Sequence, residues 1–298
     1  MENAISVKNL TKRYDGFLLD HVSFEIPQGT IVGFIGENGA GKSTTMKAML
    51  GLMPIEDGEA TILGHRIENG ESDSAYKEHI GVVFDECNFP GDLKVKYIQN
   101  IMHSIYQTWD REKFVQYMNK FNLPLNKKVK ELSKGMKMKL SIAVALSHDS
   151  KVLILDEATS GLDPVVRNEI LDIFREFIEN EQHTVFLSSH ITSDIEKVAD
   201  YVMLIHKGKL LLTESKDDLL YRYCVVKCTR AQAKLLPEHL VAGKEENSYG
   251  VSVLITDKEQ LENSHFIKEA EEMEDSKVVI DRASIEDMLL YLVKMGGK

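Results

Sequence analysis

Hydrophobic and polar residues alternate along the N-terminal part of the chain, in ISVKNL at residues 5–10 and in LLDHVSFEI at residues 18–26. This period of two predicts strands with one buried face, and the intervening YDGF predicts a turn. Later runs are almost continuously apolar: TIVGFIG, IGVVFD, VLILD and TVFLSS. Such runs are typical of strands that are buried on both faces of a parallel sheet.

A helical spacing of apolar residues appears between these runs. It is found in TMKAMLGLM and again from about Lys94 to Ala145, while YVMLIHKGKLLLTE predicts a hairpin that turns at residues 207–209. Strands that alternate with helices predict a parallel sheet covered on both faces. The predicted fold class is therefore α/β with a mostly parallel sheet. An antiparallel β subdomain precedes it, and a helical subdomain is inserted at about residues 91–148.

The pattern of elements changes near Tyr221. Strand signals (YCVVKCT, GVSVLIT, SKVVID) and helix signals (RAQAKLL, DKEQLENSHFIKEAEEME, SIEDMLLYLVK) follow, and SKDDLLYRY is predicted to be a connector. A unit of this length is near the lower end of domain size. The chain is therefore predicted to hold a larger domain at residues 1–215 and a small C-terminal α/β domain at residues 216–298.

Composition narrows the function classes. The chain is 43% hydrophobic and 28% charged, which is ordinary for a globular protein, and its apolar runs fall short of the ~20 residues that span a bilayer. The polar start MENAISVKNL predicts no secretion signal, so we expect a cytoplasmic protein. Cys87, Cys224 and Cys228 lack the spacing of a zinc site. A net charge of −11 argues against non-specific nucleic-acid binding.

The segment GENGAGKS, Gly36 to Ser43, fits the phosphate-loop pattern G-x-x-x-x-G-K-[ST] in full. It follows a buried strand and opens a helix, which is the context that phosphate binding requires. The glycines allow backbone N–H groups to point at phosphate oxygens, and the helix N-terminus adds positive charge. The predicted ATP-binding residues of the loop are Gly36, Asn38, Gly39, Ala40, Gly41, Lys42, Ser43, Thr44 and Thr45. Lys42 is assigned to the β- and γ-phosphates, Ser43 to Mg²⁺, and the two threonines to the α-phosphate.

Two carboxylates follow the buried strand in KVLILDEATSGLDP. Asp156 lies at the carboxyl end of that strand, where ligands of open α/β sheets bind, and is predicted to hold Mg²⁺. Glu157 is predicted to polarise the water that attacks the γ-phosphate. The chain has no [NT]-K-x-D motif, which argues against a GTPase, and the long helical insertion argues against a nucleoside kinase.

The segment ELSKGMKMKL, residues 131–140, is ambiguous when taken alone. It could be a solvated charged turn, a nucleic-acid patch, or half of an ATP site. Behind the phosphate loop and Asp156-Glu157, however, the chain from about Ile5 to Glu214 resembles the ATP-binding-cassette family. In that comparison ELSKGMKMKL stands where the family carries its Leu-Ser-Gly-Gly-Gln signature.

The resemblance implies further site residues. Ser133, Gly135 and Met136 would contact ATP held by a partner chain's Lys42. Ser160, Gly161 and Asp163 match the segment that crosses the dimer interface. His190 matches the switch histidine that acts with Glu157 and Lys42 in catalysis, and Tyr14 matches the aromatic residue that stacks on adenine. Asp85 stands where the family has a glutamine and is a further candidate near Mg²⁺.

The chain departs from the family pattern at three of these positions. Lys134 replaces the first glycine of the signature and Met136 its glutamine, while the Ser-x-Gly unit is kept. Asp85 is shorter than glutamine and charged, which changes how this position could sense Mg²⁺ or water. Each of these residues could instead have no functional role: His190 could be a surface histidine, Tyr14 a half-buried strand residue, and Asp163 the start of a helix.

The resemblance implies an ATPase that uses ATP and Mg²⁺ and serves a membrane transporter. The C-terminal unit is similar to the tail of bacterial drug- and antibiotic-exporter subunits, so an exporter is expected. The implied partners are a separate transmembrane permease and a second ATPase subunit, identical or different, on the inner face of the membrane, with no nucleic acid. The alternatives are an importer ATPase, or a soluble ATPase of this family acting in translation or on DNA.

Overall fold

The computed structural model describes residues 2–67, 75–248, 250–273 and 277–295. The chain divides into two compact units, residues 1–210 and residues 211–298. Among the described residues, no helix combines the length and the apolar character needed to cross a membrane.

The first unit begins with an antiparallel sheet whose strand order is β2-β1-β4-β5. Its strands are β1 (Asn3–Tyr14), β2 (Phe17–Pro27), β4 (Asp57–Ile62) and β5 (His65–Ile67). The alternating pattern predicted β1 and β2. It did not predict β4 and β5, because these strands are short and only Ala60 and Ile62 among their residues are fully buried.

A six-stranded sheet in the order β10-β9-β3-β8-β7-β6 forms the centre of the first unit, and of its strands β10 extends past residue 210. Its strands are β3 (Ile31–Ile35), β6 (Ile80–Val83), β7 (Val152–Asp156), β8 (Thr184–Ser189), β9 (Tyr201–His206) and β10 (Lys209–Ser215). The pairs from β9 through β3, β8 and β7 to β6 are parallel. Every residue of β3, β7 and β8 is buried, as their apolar runs predicted. Parallel pairing brings the carboxyl ends of these strands to one edge.

Helices of the first unit include α1 (Lys42–Met49), α5 (Pro164–Phe177) and α6 (Thr192–Val198). The predicted helical insertion contains α2 (Val95–Ile105), α3 (Arg111–Lys120) and α4 (Lys134–Leu146). Its interior is apolar: Phe114, Met118 and Met138 are almost completely buried. Asp110 caps α3 by accepting a hydrogen bond from the Lys113 N–H at 2.9 Å.

The second unit has an antiparallel sheet in the order β12-β13-β11-β14. Its elements are α7 (Lys216–Arg222), β11 (Cys224–Cys228), β12 (Val241–Glu246), β13 (Val251–Ile255), α8 (Lys258–Asn263), α9 (Phe266–Met273), β14 (Val279–Arg282) and α10 (Ile285–Met295).

Three predictions for the second unit were wrong in detail, and one strand was missed. The expected connector is largely the helix α7, and β12 was not predicted at all. The expected helix RAQAKLL is only a short 3-10 turn at Gln232–Leu235. The long helix expected at residues 257–274 is two helices, which are separated at Ser264.

Candidate active site at the phosphate loop

The loop after β3 has a backbone that only glycine suits at two points. A Cβ on Gly36 would lie 2.4 Å from the carbonyl oxygen of Ile205, so the loop passes directly against β9. Gly41 has a φ of 115°, a conformation that side chains disfavour, and α1 begins at the next residue. The loop therefore presents the N-terminus of α1 at the edge where the parallel strands end, which is the geometry of an anion site.

The Lys42 side chain folds back over this loop and is only 5% exposed. Its Nζ donates a hydrogen bond to the Gly36 carbonyl at 2.7 Å and lies 3.1 Å from Oε1 of Glu157. That carboxylate oxygen accepts no hydrogen bond from the described residues, so its contact with Lys42 is an ion pair. The cation of the phosphate loop and the predicted general base are therefore direct neighbours.

Glu157 has an unusual backbone, with a φ of +53°. A residue other than glycine in this left-handed region costs roughly 1–3 kcal/mol and persists only where its surroundings hold it. Its backbone N–H donates to Ser188 Oγ at 3.0 Å, and its Oε2 lies 2.6 Å from Nδ1 of His190. The Glu157 carboxylate thus lies between Lys42 and His190.

Asp156, at the end of β7, is buried and is paired in register with Ser188 of β8. The Ser188 hydroxyl donates a hydrogen bond to Asp156 Oδ1 at 2.6 Å. Ser188 was not among the predicted site residues. Its position near the end of the buried run TVFLSS, two residues before His190, was the available signal, but the sequence does not tell which strand pairs with which.

A cavity of about 440 Å³ opens beside the phosphate loop. It is lined by Phe17, Glu37, Asn38, Gly39, Gly41, Lys42, Ser43, Thr44, Asp85 and Glu157. Most of the predicted phosphate-loop residues therefore face one space together with Glu157 and Asp85. Phe17 and Glu37 were not predicted to do so.

Four predicted ATP-binding residues do not line this cavity. Gly36 lies against the Ile205 carbonyl of β9 instead. Ala40 is buried within the loop. Thr45 is fully buried, and its Oγ1 donates to the Gly41 carbonyl at 2.9 Å, so this hydroxyl serves the first turn of α1. Tyr14 is 43% exposed, and its ring centroid lies 6.5 Å from that of Phe17, which does line the cavity.

The signature residues form a second group. Ser133 caps α4, its Oγ accepting a hydrogen bond from the Met136 N–H at 3.2 Å. A Cβ on Gly135 would lie 3.4 Å from Val166 Cγ1, at the start of α5. Asp163 Oδ1 caps α5, accepting from the N–H groups of Val165 and Val166, each at 3.1 Å.

The first residue of α4 also touches the segment that leads to α5. A Cβ on Gly161 would lie 2.7 Å from Nζ of Lys134, and Ser160 precedes this glycine directly. The signature and the segment from Ser160 to Asp163 therefore lie together. None of these residues lines the cavity at the phosphate loop.

The oxygen donors near Lys42 suit Mg²⁺ bound with a nucleotide. Ser43 lines the cavity, and Asp156 offers a buried carboxylate of which one oxygen accepts a hydrogen bond from Ser188. Among the described residues, no three His, Cys, Asp or Glu side chains converge as a metal site. Mg²⁺ commonly takes only one or two protein ligands and completes its shell with phosphate oxygens and water.

Comparison with known proteins agrees with this geometry. Residues 19–160 match the family model described as ABC transporter. Over 222 residues the chain is 36% identical to the uncharacterized ABC transporter ATP-binding protein YhcH of Bacillus subtilis, covering 73% of this chain and 72% of the relative. The chain belongs to the ABC transporter ATP-binding family. This ABC subunit is also 35% identical over 214 residues to the bacitracin transport ATP-binding protein BcrA of Bacillus licheniformis, covering 71% of this chain and 69% of that one.

A solved structure supports the same assignment. The ABC subunit matches a chain described as the ATP binding subunit of an ABC transporter with a TM-score of 0.63 and 27% identity, covering 72% of this chain and 91% of that chain. The predicted α/β fold class and the predicted family are confirmed. The chain is an ATP-binding ATPase subunit of the ABC transporter class.

Proposed function

We propose that this ABC subunit drives export through a separate transmembrane permease, and that it works as one of two ATPase chains on the cytoplasmic face of the membrane. One observation carries the proposal. The cluster of Lys42, Glu157 and His190 lies at the phosphate-loop cavity, whereas the capped N-terminus of α4 lies among a different group of residues. An ATP site that needs both groups is completed by a second chain.

Within one chain, Lys42 has two competing anionic partners. A γ-phosphate that binds Lys42 displaces the Glu157 carboxylate, which now lies 3.1 Å away. The left-handed backbone of Glu157 keeps the released carboxylate near His190, where it accepts a proton from the attacking water. Ser43 and Asp156 would hold Mg²⁺, which neutralises phosphate charge when bound. Asp85 lines the same cavity, and we assign it to sensing Mg²⁺ or water there.

Across the pair of chains, α4 supplies the other half of the site. Ser133 satisfies one N–H of the first turn, and the remaining N–H groups carry the positive end of the helix dipole. We propose that Ser133, Gly135 and Met136 meet a phosphate bound to the partner chain's loop. Ser160, Gly161 and Asp163, which lie beside them, would line the same interface. Binding of ATP then closes the pair, and loss of the γ-phosphate reopens it.

An exposed apolar stripe on α2 is the proposed contact with the permease. Tyr97, Ile101 and Ile105 recur at helical spacing and are 49%, 39% and 59% exposed. Such a stripe suits the apolar face of a short helix on a membrane partner. Export, rather than import, is proposed because the C-terminal segment resembles the tail of exporter subunits and because a relative of the chain, BcrA, is named for bacitracin transport.

Complementation between two inactive variants tests the shared site. Lys42→Ala removes the phosphate cation of one chain, and Ser133→Arg blocks the α4 N-terminus of the other. Each variant alone should lack ATPase activity, while an equimolar mixture should recover part of it, because mixed pairs hold one site with both halves intact. Ser133→Arg should still bind ATP. A mixture that stays as inactive as its parents would argue that each chain carries a complete site.

The permease contact is tested by co-purification. The full chain expressed in a host that carries its membrane partner should retain a multi-spanning membrane protein, and Ile101→Glu should lose it. Val115→Glu is the matched control, because Val115 is an equally exposed apolar residue on the neighbouring helix α3. Equal retention by the wild type and Ile101→Glu would contradict the docking role of α2.

A further inference from the structure

The Ser188 hydroxyl joins the two carboxylate residues of the active site. It donates its single proton to Asp156 Oδ1 at 2.6 Å, and its oxygen accepts the Glu157 backbone N–H at 3.0 Å. The Ser188 carbonyl lies 3.3 Å from the same N–H, so β8 holds Glu157 by two acceptors. Ser188 is fully buried.

These contacts leave little freedom to the groups they hold. Because the hydroxyl has one proton, a donor bond to Asp156 fixes which lone pairs face the Glu157 N–H. One Asp156 oxygen is thereby engaged, and the carboxylate is held in a single orientation. The Glu157 backbone is held at a φ of +53°, from which its side chain reaches both Lys42 and His190.

A purely structural explanation would treat Ser188 as a satisfied polar residue of the sheet. Thr184 provides the comparison, because it lies at the other end of β8 and is equally buried. Its Oγ1 accepts a backbone N–H, from Gly29 at 3.2 Å, but it contacts neither carboxylate. Both hydroxyls satisfy a backbone donor, and only Ser188 adds a charge-assisted bond to the active site.

We propose that Ser188 is a positioning residue for ATP hydrolysis. It orients the Asp156 carboxylate toward Mg²⁺ and sets the left-handed turn that aims Glu157 at the γ-phosphate. The proposal rests on the metal and base roles proposed above for Asp156 and Glu157. Ser188 itself touches neither nucleotide nor water in this role and acts only through its two neighbours.

The test compares Ser188→Ala with Thr184→Ala in the full-length chain. In Ser188→Ala, kcat should fall about tenfold to a hundredfold, the factor produced by losing one hydrogen bond to a charged group. The KM for ATP should change less than about threefold, because Lys42 and the loop are intact. Thr184→Ala should keep the wild-type kcat, and both variants should show comparable losses in melting temperature.

A binding measurement gives a readout that does not depend on turnover. The Kd of a non-hydrolysable ATP analogue is measured with and without Mg²⁺. Ser188→Ala should bind the analogue normally without Mg²⁺ and should lose most of the tightening that Mg²⁺ brings to the wild type. Unchanged kcat together with unchanged Mg²⁺ enhancement would overturn the proposal, as would equal effects of Thr184→Ala.

Failure of the site assignment is separable from failure of this inference. If Glu157→Gln hydrolyses ATP at the wild-type rate, the base has been wrongly assigned. If Glu157→Gln is inactive but Ser188→Ala is fully active with normal Mg²⁺ enhancement, the base is correct and Ser188 does not position it. If both are impaired and their effects on kcat combine less than multiplicatively, Ser188 acts through Glu157.

Discussion

The ammonium of Lys42 and the carboxylate of Glu157 form an ion pair at 3.1 Å inside the ATP site. The two groups belong to the phosphate loop and to the end of β7, and both are mostly buried. A phosphate and the Glu157 carboxylate would compete for the Lys42 ammonium. The Lys42–Glu157 ion pair would therefore weaken ATP binding, and bound ATP would weaken the ion pair by the same free energy. Under the proposed roles, binding of phosphate to the loop would therefore release Glu157 to act as the general base.

Glu157→Gln is expected to separate binding from hydrolysis. Loss of the negative charge should lower kcat by about two to four orders of magnitude, the usual contribution of a general base. It should also tighten binding of the ATP analogue severalfold, because glutamine does not compete for Lys42. Turnover and equilibrium binding are measured on the same preparation. Glu179→Gln, at an exposed residue just after α5, is the control, and normal turnover by Glu157→Gln would exclude the base role.

Tyr14→Ala is expected to weaken ATP binding by about 1–3 kcal/mol, the range for a base stacked on an aromatic ring. Tyr14 is 43% exposed, its hydroxyl donates to Met53 Sδ at 3.3 Å, and Lys12 Nζ lies 5.4 Å from the ring centroid. Phe17→Ala should have a smaller effect, because Phe17 packs toward Gly41 at the phosphate end. Calorimetry with ATP, ADP and triphosphate alone distinguishes the two. Tyr97→Ala is the control. If Phe17→Ala weakens ATP binding more than Tyr14→Ala does, Phe17 is the ring on which the base stacks.

Asp163→Ala is expected to destabilise the chain by about 1 kcal/mol through loss of the α5 cap. One carboxylate oxygen accepts both the Val165 and the Val166 N–H. Asp163→Asn keeps an acceptor oxygen and should be nearly neutral. Chemical denaturation followed by circular dichroism compares the three chains. Equal losses in both variants would indicate that the charge, rather than the cap, is what matters at this position.

His148 makes stability depend on pH in a defined direction. Burial lowers the pKa of this imidazole below its ordinary value, and its ring stacks on Tyr106 with centroids 4.0 Å apart. Between the folded pKa and the unfolded value of about 6.5, only the unfolded chain binds the proton. The free energy of unfolding should therefore fall as pH drops below about 6.5. His148→Gln should flatten this slope, whereas His103→Gln, on an exposed face of α2, should leave it unchanged.

The cysteines should differ in reactivity. Burial raises the pKa of the Cys224 thiol to about 11 and raises that of Cys228, whereas Cys87 is partly exposed. An aromatic disulfide reagent at mildly alkaline pH should therefore modify one thiol of the folded chain and all three after denaturation. Cys87→Ser should abolish the reaction of the folded chain. Rapid labelling of Cys224 would show that the second unit opens readily.

The central sheet, and the position of most of the predicted phosphate-loop residues around one cavity, could be predicted from the sequence. Continuous apolar runs define strands buried on both faces, and parallel strands end at one edge, so the residues after Ile35, Leu155 and Ser189 had to lie near one another. Predictions failed for contacts that depend on which strands are neighbours in the sheet. Ser188 contacts Asp156 because β8 pairs with β7, and the order of strands in a sheet cannot be predicted from local sequence patterns.

Local hydrogen bonds and a proline that interrupt predicted helices explain two of the errors in the second unit. At Ser264 the hydroxyl donates to the Leu261 carbonyl at 2.6 Å, and the Phe266 N–H donates to the same hydroxyl at 3.3 Å. These bonds replace those that would continue α8 into α9. The predicted helix before Pro237 is cut short in a similar way, because proline favours an extended backbone at the preceding residue, as seen at Leu236.

The left-handed backbone of Glu157 has a consequence for how this position tolerates change. Glycine and asparagine adopt that conformation more readily than glutamate does. Chains that carry Gly or Asn at this position should therefore fold at least as well as the natural one, and under the proposed base role they should hydrolyse almost no ATP. Folding alone would favour replacing this glutamate, and the proposed base role gives a reason to keep it. Chains made this way would be stable reagents for trapping the proposed closed pair.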